Sequence, residues 1–290
     1  MHTDDGRMLE VFVSGARRGV PVLYHSGTPT AAAPWPLLDE AAAARGHPAV
    51  TYSRPGYAES SPHEGRRVAH AAADVAAILD HLGAESFITF GWSGGGPHAL
   101  ACAALLSHRC LAAASVAGVA PFRAVGLDWL NGMGVANIEE FTLALRGADD
   151  LTPFLLGHAA ELASIEPQHV ADALTTLVSS VDRVALTSDL AEYQALSFRR
   201  AVSQGVEGWL EDDLAFAAPW GFNLSAITTP VSIWQGGDDL MVPSAHGAWL
   251  ANNVAGARRH LYPEEGHLSL GVNRLGDILD DLDVLAEQAA

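Results

Sequence analysis

The 290-residue sequence contains no lysine; all 16 of its basic side chains are arginine. That absence excludes Schiff-base chemistry, a pyridoxal-phosphate anchor, a phosphate-loop lysine, a Ser–Lys dyad and a protein-kinase site. Only two cysteines occur, Cys102 and Cys110. They are too few for a disulfide framework or a zinc knuckle and read as small packing residues. Charge is scarce as well, at 17 % of residues, and 34 acidic groups against 16 basic ones leave a formal net charge of −18. Such a chain has no cationic cluster to meet nucleic-acid phosphates or anionic lipid. No apolar run reaches the length of a membrane span, and the polar stretch Met1–Glu10 lacks the features of a signal peptide. The expectations are no nucleic-acid partner, no membrane association, a small-molecule substrate and a cytoplasmic location.

What is present is a globular composition, 49 % hydrophobic, in a length that suits one α/β domain or one domain with an insertion. Short apolar segments at Leu9–Val13, Val20–Tyr24, Ala49–Tyr52, Phe87–Phe90 and Leu111–Val119 read as strands. Val68–Leu82, with Val75, Ile78, Leu79 and Leu82 on one face and Gly83 as its stop, reads as a helix, as does Gly95–Ser107. This alternation predicts a mostly parallel sheet covered by helices. From about Pro121 to Phe222 strand signals vanish. Amphipathic patterns predict helices over Ile138–Leu145, Pro153–Ala163, Pro167–Val181, Leu190–Ser203 and Val206–Phe216. Strands return at Val231–Gln235 and Arg259–Tyr262, with helices at Ser244–Val254 and Leu275–Glu287. Residues 1–120 and 223–290 therefore read as one core and 121–222 as a helical cap, since such a segment is too long for a plain loop.

The strongest chemical signal is Gly91-Trp92-Ser93-Gly94-Gly95, placed between a strand and a helix. That context suits a nucleophile elbow, in which a tight turn lifts the Ser93 hydroxyl above the sheet edge and glycines let strand and helix backbones approach. Gly94 then offers its N–H at a helix start, where negative charge is favoured. A serine nucleophile needs a base and the base an orienting carboxylate, in the chain order Ser, acid, His. Asp238 and Asp239 lie just past the strand Val231–Gln235, and His267 just past Arg259–Tyr262, so all three groups fall at the C-terminal edge of the sheet. Of the other histidines, His2, His47, His63, His108, His169 and His260 read as solvated. His70, His81 and His158 read as surface or interface residues on helices, and His98 packs below the site. No pair has metal-ligand spacing. At Leu23–Pro29 a strand runs into a turn, where the N–H of Thr28 supplies a second oxyanion donor and His25 braces the loop.

These motifs together resemble an α/β-hydrolase-fold enzyme with a helical lid, along nearly the whole chain from Leu9. The family's His-Gly-x loop corresponds to His25-Ser26-Gly27-Thr28, with one residue inserted. Its Arg-Pro-Gly-Tyr/Phe-Gly-x-Ser stretch appears as Arg54-Pro55-Gly56-Tyr57-Ala58-Glu59-Ser60. Its acid motif, Gly-x-x-Asp-x-x-Val-Pro, matches Gly236 to Pro243 and selects Asp239 over Asp238, and its Gly-His pair matches Gly266-His267. The resemblance implies acyl transfer rather than the haloalkane or epoxide chemistry of relatives with Asp at the elbow.

The resulting expectation is a Ser93–Asp239–His267 triad with Gly94 and Thr28 as oxyanion donors, needing neither metal nor organic cofactor. A carboxylesterase acting on small or medium apolar esters leads. A proline-iminopeptidase-like amidase is the alternative, with Glu207, Glu211, Asp212 and Asp213 available for a substrate amine. Carbon–carbon bond hydrolysis, cofactor-free perhydrolysis and a non-catalytic ligand receptor use the same frame. Trp92 and Trp35 are the expected pocket residues. Most aromatic residues of the insertion are expected to join the lid to the core, and Arg123, Arg199 and Arg200 are the available partners for an anionic substrate.

Overall fold

The computed structural model describes residues 1–289. Seven strands form one sheet: β1 (Val11–Gly15), β2 (Val22–His25), β3 (Pro48–Tyr52), β4 (Phe87–Trp92), β5 (Cys110–Val116), β6 (Val231–Gly236) and β7 (Arg258–Tyr262). Their order is β1-β3-β2-β4-β5-β6-β7. Only β1 runs antiparallel to its neighbour, pairing Val11 with Tyr52 and Gly15 with Pro48. All residues of β2, β4 and β6 are buried, because helices cover both faces. Core-flanking helices are α1 (Pro36–Ala44), α2 (Ala71–Leu82) and α3 (Gly95–Leu105). Between β5 and β6 stand α4 (Val135–Ala144), α5 (Ala148–Leu162), α6 (Val170–Ala173), α7 (Ser180–Ala185), α8 (Ser188–Ala201) and α9 (Glu207–Ala217). The chain closes with α10 (Ser244–Asn253), α11 (His267–Asn273) and α12 (Leu275–Ala289). No described helix is long and apolar enough to cross a membrane.

The α2 stripe shows how sequence produces this packing. Val75, Ile78 and Leu79 are fully buried, each worth about 1.5–3 kcal/mol relative to exposure. Leu82, one position before the Gly83 stop, is instead 37 % exposed as the helix leaves the core. Gly83 ends the helix at φ +65, a left-handed cap open to glycine without strain.

Several expected boundaries move. The segment read as one helix over Pro167–Val181 is broken. Short helical turns occupy Pro167–Leu177, and α7 begins afresh where Ser179 and Asp182 form a reciprocal capping box. The capping pair supplies a new start, and the β-branched run at Thr175, Thr176 and Val178 weakens continuation. The strand expected to reach Val119 stops at Val116, because Ala117 turns to φ +48. Helices α1 and α11 are additional to the sequence reading. Pro36 at the start of α1 is the signal that could have announced it.

Candidate active site

The turn between β4 and α3 places Ser93 at φ +57. A left-handed non-glycine residue costs about 1–3 kcal/mol and persists only where its surroundings enforce it. Here close backbone packing does so. A Cβ on Gly91 would stand 2.0 Å from the Gly95 carbonyl oxygen, and one on Gly95 would stand 1.9 Å from that of His25. Val116 accepts the Ser93 N–H at 2.9 Å, tying the turn to β5. Among the described residues no group hydrogen-bonds the Ser93 hydroxyl, which faces a cavity of about 160 Å³.

His267 opens α11 just past β7 and lines the same cavity. Its Nδ1 lies 2.9 Å from Asp239 Oδ2 and 3.1 Å from Oδ1. A carboxylate only accepts, so Nδ1 carries the proton and Nε2 keeps its lone pair. Asp239 is buried, and its carboxylate also accepts from the N–H groups of Met241 and Val242 at 2.9 and 2.7 Å and from Gln235 Nε2 at 3.1 Å. Asp238 is exposed. Of the two adjacent aspartates, the structure brings only Asp239 to the histidine.

Asp182 of α7 is a residue that sequence reasoning missed. Fully buried, it accepts the N–H groups of His267, Leu268 and Ser269 at 3.1, 2.7 and 2.9 Å. It thus caps the helix that begins with His267, a favourable place for negative charge. Burial opposes charging of His267, but the Asp239 carboxylate, with a smaller contribution from Asp182, outweighs it and raises the imidazole above its ordinary 6.5. Replacing Asp182 by Ala leaves three buried donors without an acceptor. At about 1–3 kcal/mol for each donor that water does not reach, the expected loss is at least that much stability, read as a lower Tm, with the His267 titration moving to lower pH in an NMR measurement.

Thr28 and Gly94 come together at the other side of Ser93. A Cβ on Gly94 would lie 2.4 Å from Thr28 Oγ1. Among the described residues no acceptor takes either backbone N–H. The loop that carries Thr28 is braced from below. Arg54 donates from Nη1 to the Ser26 carbonyl at 2.5 Å and from Nη2 to that of Gly27 at 2.8 Å. Its charge is met by Asp212 of α9, at 2.5 Å, which also accepts from Tyr57, Thr28 and Arg66. Burial pushes the Asp212 carboxyl up, but Arg54 and Arg66 hold it far below the usual carboxylate range. His25 points away from the cavity, toward Tyr52 and Cys102. His98 bonds the Gly94 carbonyl at 2.8 Å, and burial lowers it to about 3.

Trp92 lines the cavity and donates from Nε1 to the His267 carbonyl at 3.1 Å. Trp35 requires correction. It is buried behind Tyr193, stacked on it at 4.8 Å, and Tyr193 forms the wall instead. Among the aromatic residues of the insertion, Phe154, Phe198 and Trp209 reach the wall beside Tyr193. Phe141 packs on Trp129 at 4.7 Å, and Trp220 on Phe222 at 5.8 Å. The arginines considered for anion binding are placed elsewhere: Arg199 bonds the Ile165 carbonyl, Arg200 bonds Glu10 and the Ala32 carbonyl, and Arg123 is exposed. The four acids considered for an amine also miss the wall, which carries Glu140, His158 and Glu161 instead. His47 and His260, expected to be solvated, are engaged. His47 bonds Asp283 at 2.8 Å, and His260 stacks on Trp234 at 3.8 Å. Among the described residues no cluster of three or more His, Cys, Asp or Glu side chains is placed to hold a metal ion.

Comparison with known proteins agrees with this architecture. The chain is 26 % identical over 267 residues to a non-heme haloperoxidase of Rhodococcus erythropolis, covering 91 % of each chain. Its fold is similar to an esterase from Exiguobacterium antarcticum (19 % identity, TM-score 0.68, 99 % of this chain and 100 % of that one). It is also similar to the enol-lactonase of Burkholderia xenovorans LB400 (18 % identity, TM-score 0.67, 96 % and 97 %). A family model described as the alpha/beta hydrolase fold matches residues 20–273, and the chain belongs to that family.

Proposed function

We propose that the protein is a serine hydrolase that cleaves carboxylic esters, with Ser93 as nucleophile, His267 as general base and Asp239 as its orienting acid. One observation carries the reading: an Asp239-bonded His267 and an unengaged Ser93 hydroxyl open on the same cavity. Ser93 Oγ attacks the acyl carbonyl as His267 Nε2 takes its proton, and Asp239 stabilises the resulting imidazolium. The N–H groups of Thr28 and Gly94 receive the developing oxyanion. His267 returns the proton to the leaving alcohol, whose departure gives the acyl-enzyme. Water, deprotonated by His267, then releases the acid and restores Ser93. In this reading residues 1–120 and 223–290 are the catalytic core and 121–222 a cap whose helices α4, α5, α8 and α9 close the cavity. Phe154, Leu162, Leu174, Phe198 and Trp209 give the wall its apolar character, which suits small or medium acyl chains.

Hydrolysis of a chain-length series of p-nitrophenyl esters tests the reading, and its pH profile tests the base. His267 works only when neutral, so kcat/KM falls as pH drops through its raised pKa. The acid limb is expected to bend above pH 6.5. Asn at position 239 removes the largest raising influence and moves the limb to lower pH, with a loss of roughly 10²–10⁴ in kcat. Absence of turnover on every ester from folded protein, or a rate flat between about pH 5 and 8, overturns the assignment.

A further inference from the structure

Among the apolar residues of the cavity wall, α4, α5 and α8 place several groups that accept hydrogen bonds. Glu140 of α4 lines it, with one carboxylate oxygen held by Trp209 Nε1 at 2.5 Å. Behind Glu140 lies Asp213 of α9, completely buried, whose carboxyl receives no N–H or hydroxyl hydrogen from any described residue. It faces Glu140 directly, carboxyl to carboxyl. Two carboxyls in contact hold one proton between them. Burial pushes both carboxyls up; the hydrogen bonds from Asp213 and Trp209 oppose it at Glu140, whereas Glu140 adds to it at Asp213, so Asp213 is the one that holds the shared proton and Glu140 carries the charge. A second observation is independent of this pair. Gln194 of α8 also lines the cavity, is only 7 % exposed, and its Oε1 has no hydrogen-bond donor. Buried acceptors without partners are rare in native proteins because each forfeits its hydration.

Among the described residues no lysine or arginine reaches these groups from the cavity; Arg66 acts on Asp213 from outside it. The chain has no lysine, and no arginine lines the cavity. His158, packed on Phe154 at 4.5 Å, shares the wall with Glu161. Phe154 and Trp209 add aromatic surface, which attracts cations through the ring quadrupole. The net charge of −18 draws cations, and not anions, toward the molecule.

Resting on the hydrolase reading above, we infer that the cap side of the cavity is a subsite for a protonated amine. Its counter-ion is the Glu140 carboxylate, and Gln194 Oε1 accepts one N–H. The substrate class is then an acyl compound carrying an ammonium group, rather than a purely apolar ester. Asp213 is a positioning residue: its proton satisfies one Glu140 oxygen and leaves that side chain aimed at the cavity.

The test compares the p-nitrophenyl esters of ε-aminocaproate and heptanoate, which differ by NH3⁺ for CH3. The wild type is expected to favour the ammonium ester at least about tenfold in kcat/KM, and Glu140→Gln to bring the ratio down toward one. Asp213→Asn, whose amide N–H replaces the carboxyl proton, keeps the ratio high, whereas Asp213→Leu, which has no donor, reduces it. A ratio at or below one in the wild type, or one unmoved by Glu140→Gln, overturns the subsite and leaves the esterase reading standing. Loss of all ester turnover would instead count against that reading. The subsite is then judged by calorimetry of Ser93→Ala with propyl- to hexylammonium against the matching alcohols. Ammonium-selective binding that Glu140→Gln abolishes supports it, and equal or absent binding refutes it.

Discussion

Replacing Ser93 by Ala is expected to lower kcat for ester hydrolysis by roughly 10⁴–10⁶ while leaving the fold intact. The loss is large because, in the proposed mechanism, His267 and Asp239 then have no nucleophile to activate. What survives is binding and whatever the N–H groups of Thr28 and Gly94 do for direct attack by water. Stability is expected to stay within about 0.5 kcal/mol, since the hydroxyl makes no hydrogen bond to the described residues and Ala meets the same backbone penalty at φ +57. Ser93→Gly separates the two effects. It is equally inactive, but it removes about 1–3 kcal/mol of left-handed strain. Against that stands about 0.4–1 kcal/mol of added chain entropy in the unfolded state. The net expectation is a higher Tm than the parent. Labelling with a fluorophosphonate, mapped by mass spectrometry, should modify Ser93 in the parent and no residue of either variant. An alanine variant that still hydrolyses esters at near-parental rate would remove Ser93 from the mechanism, and a glycine variant less stable than the parent would remove the strain argument.

The readable parts of the site are those fixed by local backbone demands. A strand, a glycine-flanked serine and a helix leave little choice about where Ser93 goes. The acid and the histidine each follow a strand, so a parallel sheet brings all three to one edge with no knowledge of packing. What the sequence concealed depends on pairs distant along the chain. Asp182 reaches His267 across 85 residues, and Asp212 reaches Arg54 across 158. Neither pairing has a period or a spacing to betray it. Arg54 stands out in the sequence as part of Arg54–Ser60, but its partner sits in a helix whose four clustered acids look interchangeable there. They are not. Asp212 is gripped by two arginines, Asp213 is sealed behind Glu140, Glu211 accepts the Gly65 N–H at the surface, and only the packing assigns these fates. Trp35 illustrates the opposite failure. Its position after the Thr28 loop suggested the cavity, and a tyrosine from α8, remote in sequence, took the place.

Removing Arg54 is expected to be the most destabilising single change near the site. Arg54 and Asp212 are both almost entirely buried, so Arg54→Leu leaves a desolvated carboxylate with Arg66 as its remaining arginine partner. Breaking a buried pair from one side costs about 3–5 kcal/mol. The Ser26 carbonyl loses its donor at the same time and that of Gly27 keeps only the Thr30 hydroxyl, which loosens the loop that holds Thr28. The kinetic consequence should resemble loss of one oxyanion donor, about 10²–10³ in kcat with a much smaller change in KM. Lysine is not an adequate substitute. A single ammonium cannot span the two carbonyls and the carboxylate that the guanidinium fork reaches together, so Arg54→Lys should recover part of the stability and little of the rate. The pairing is tested by a cycle with Asp212→Leu. If charge compensation is the cause, the double Leu variant is less destabilised than the two single losses summed, by about 0.5–3 kcal/mol. Full additivity would mean that the two residues act separately. Parental kcat in Arg54→Leu would mean that the loop keeps its shape without the guanidinium, held by the direct Thr28–Asp212 hydrogen bond.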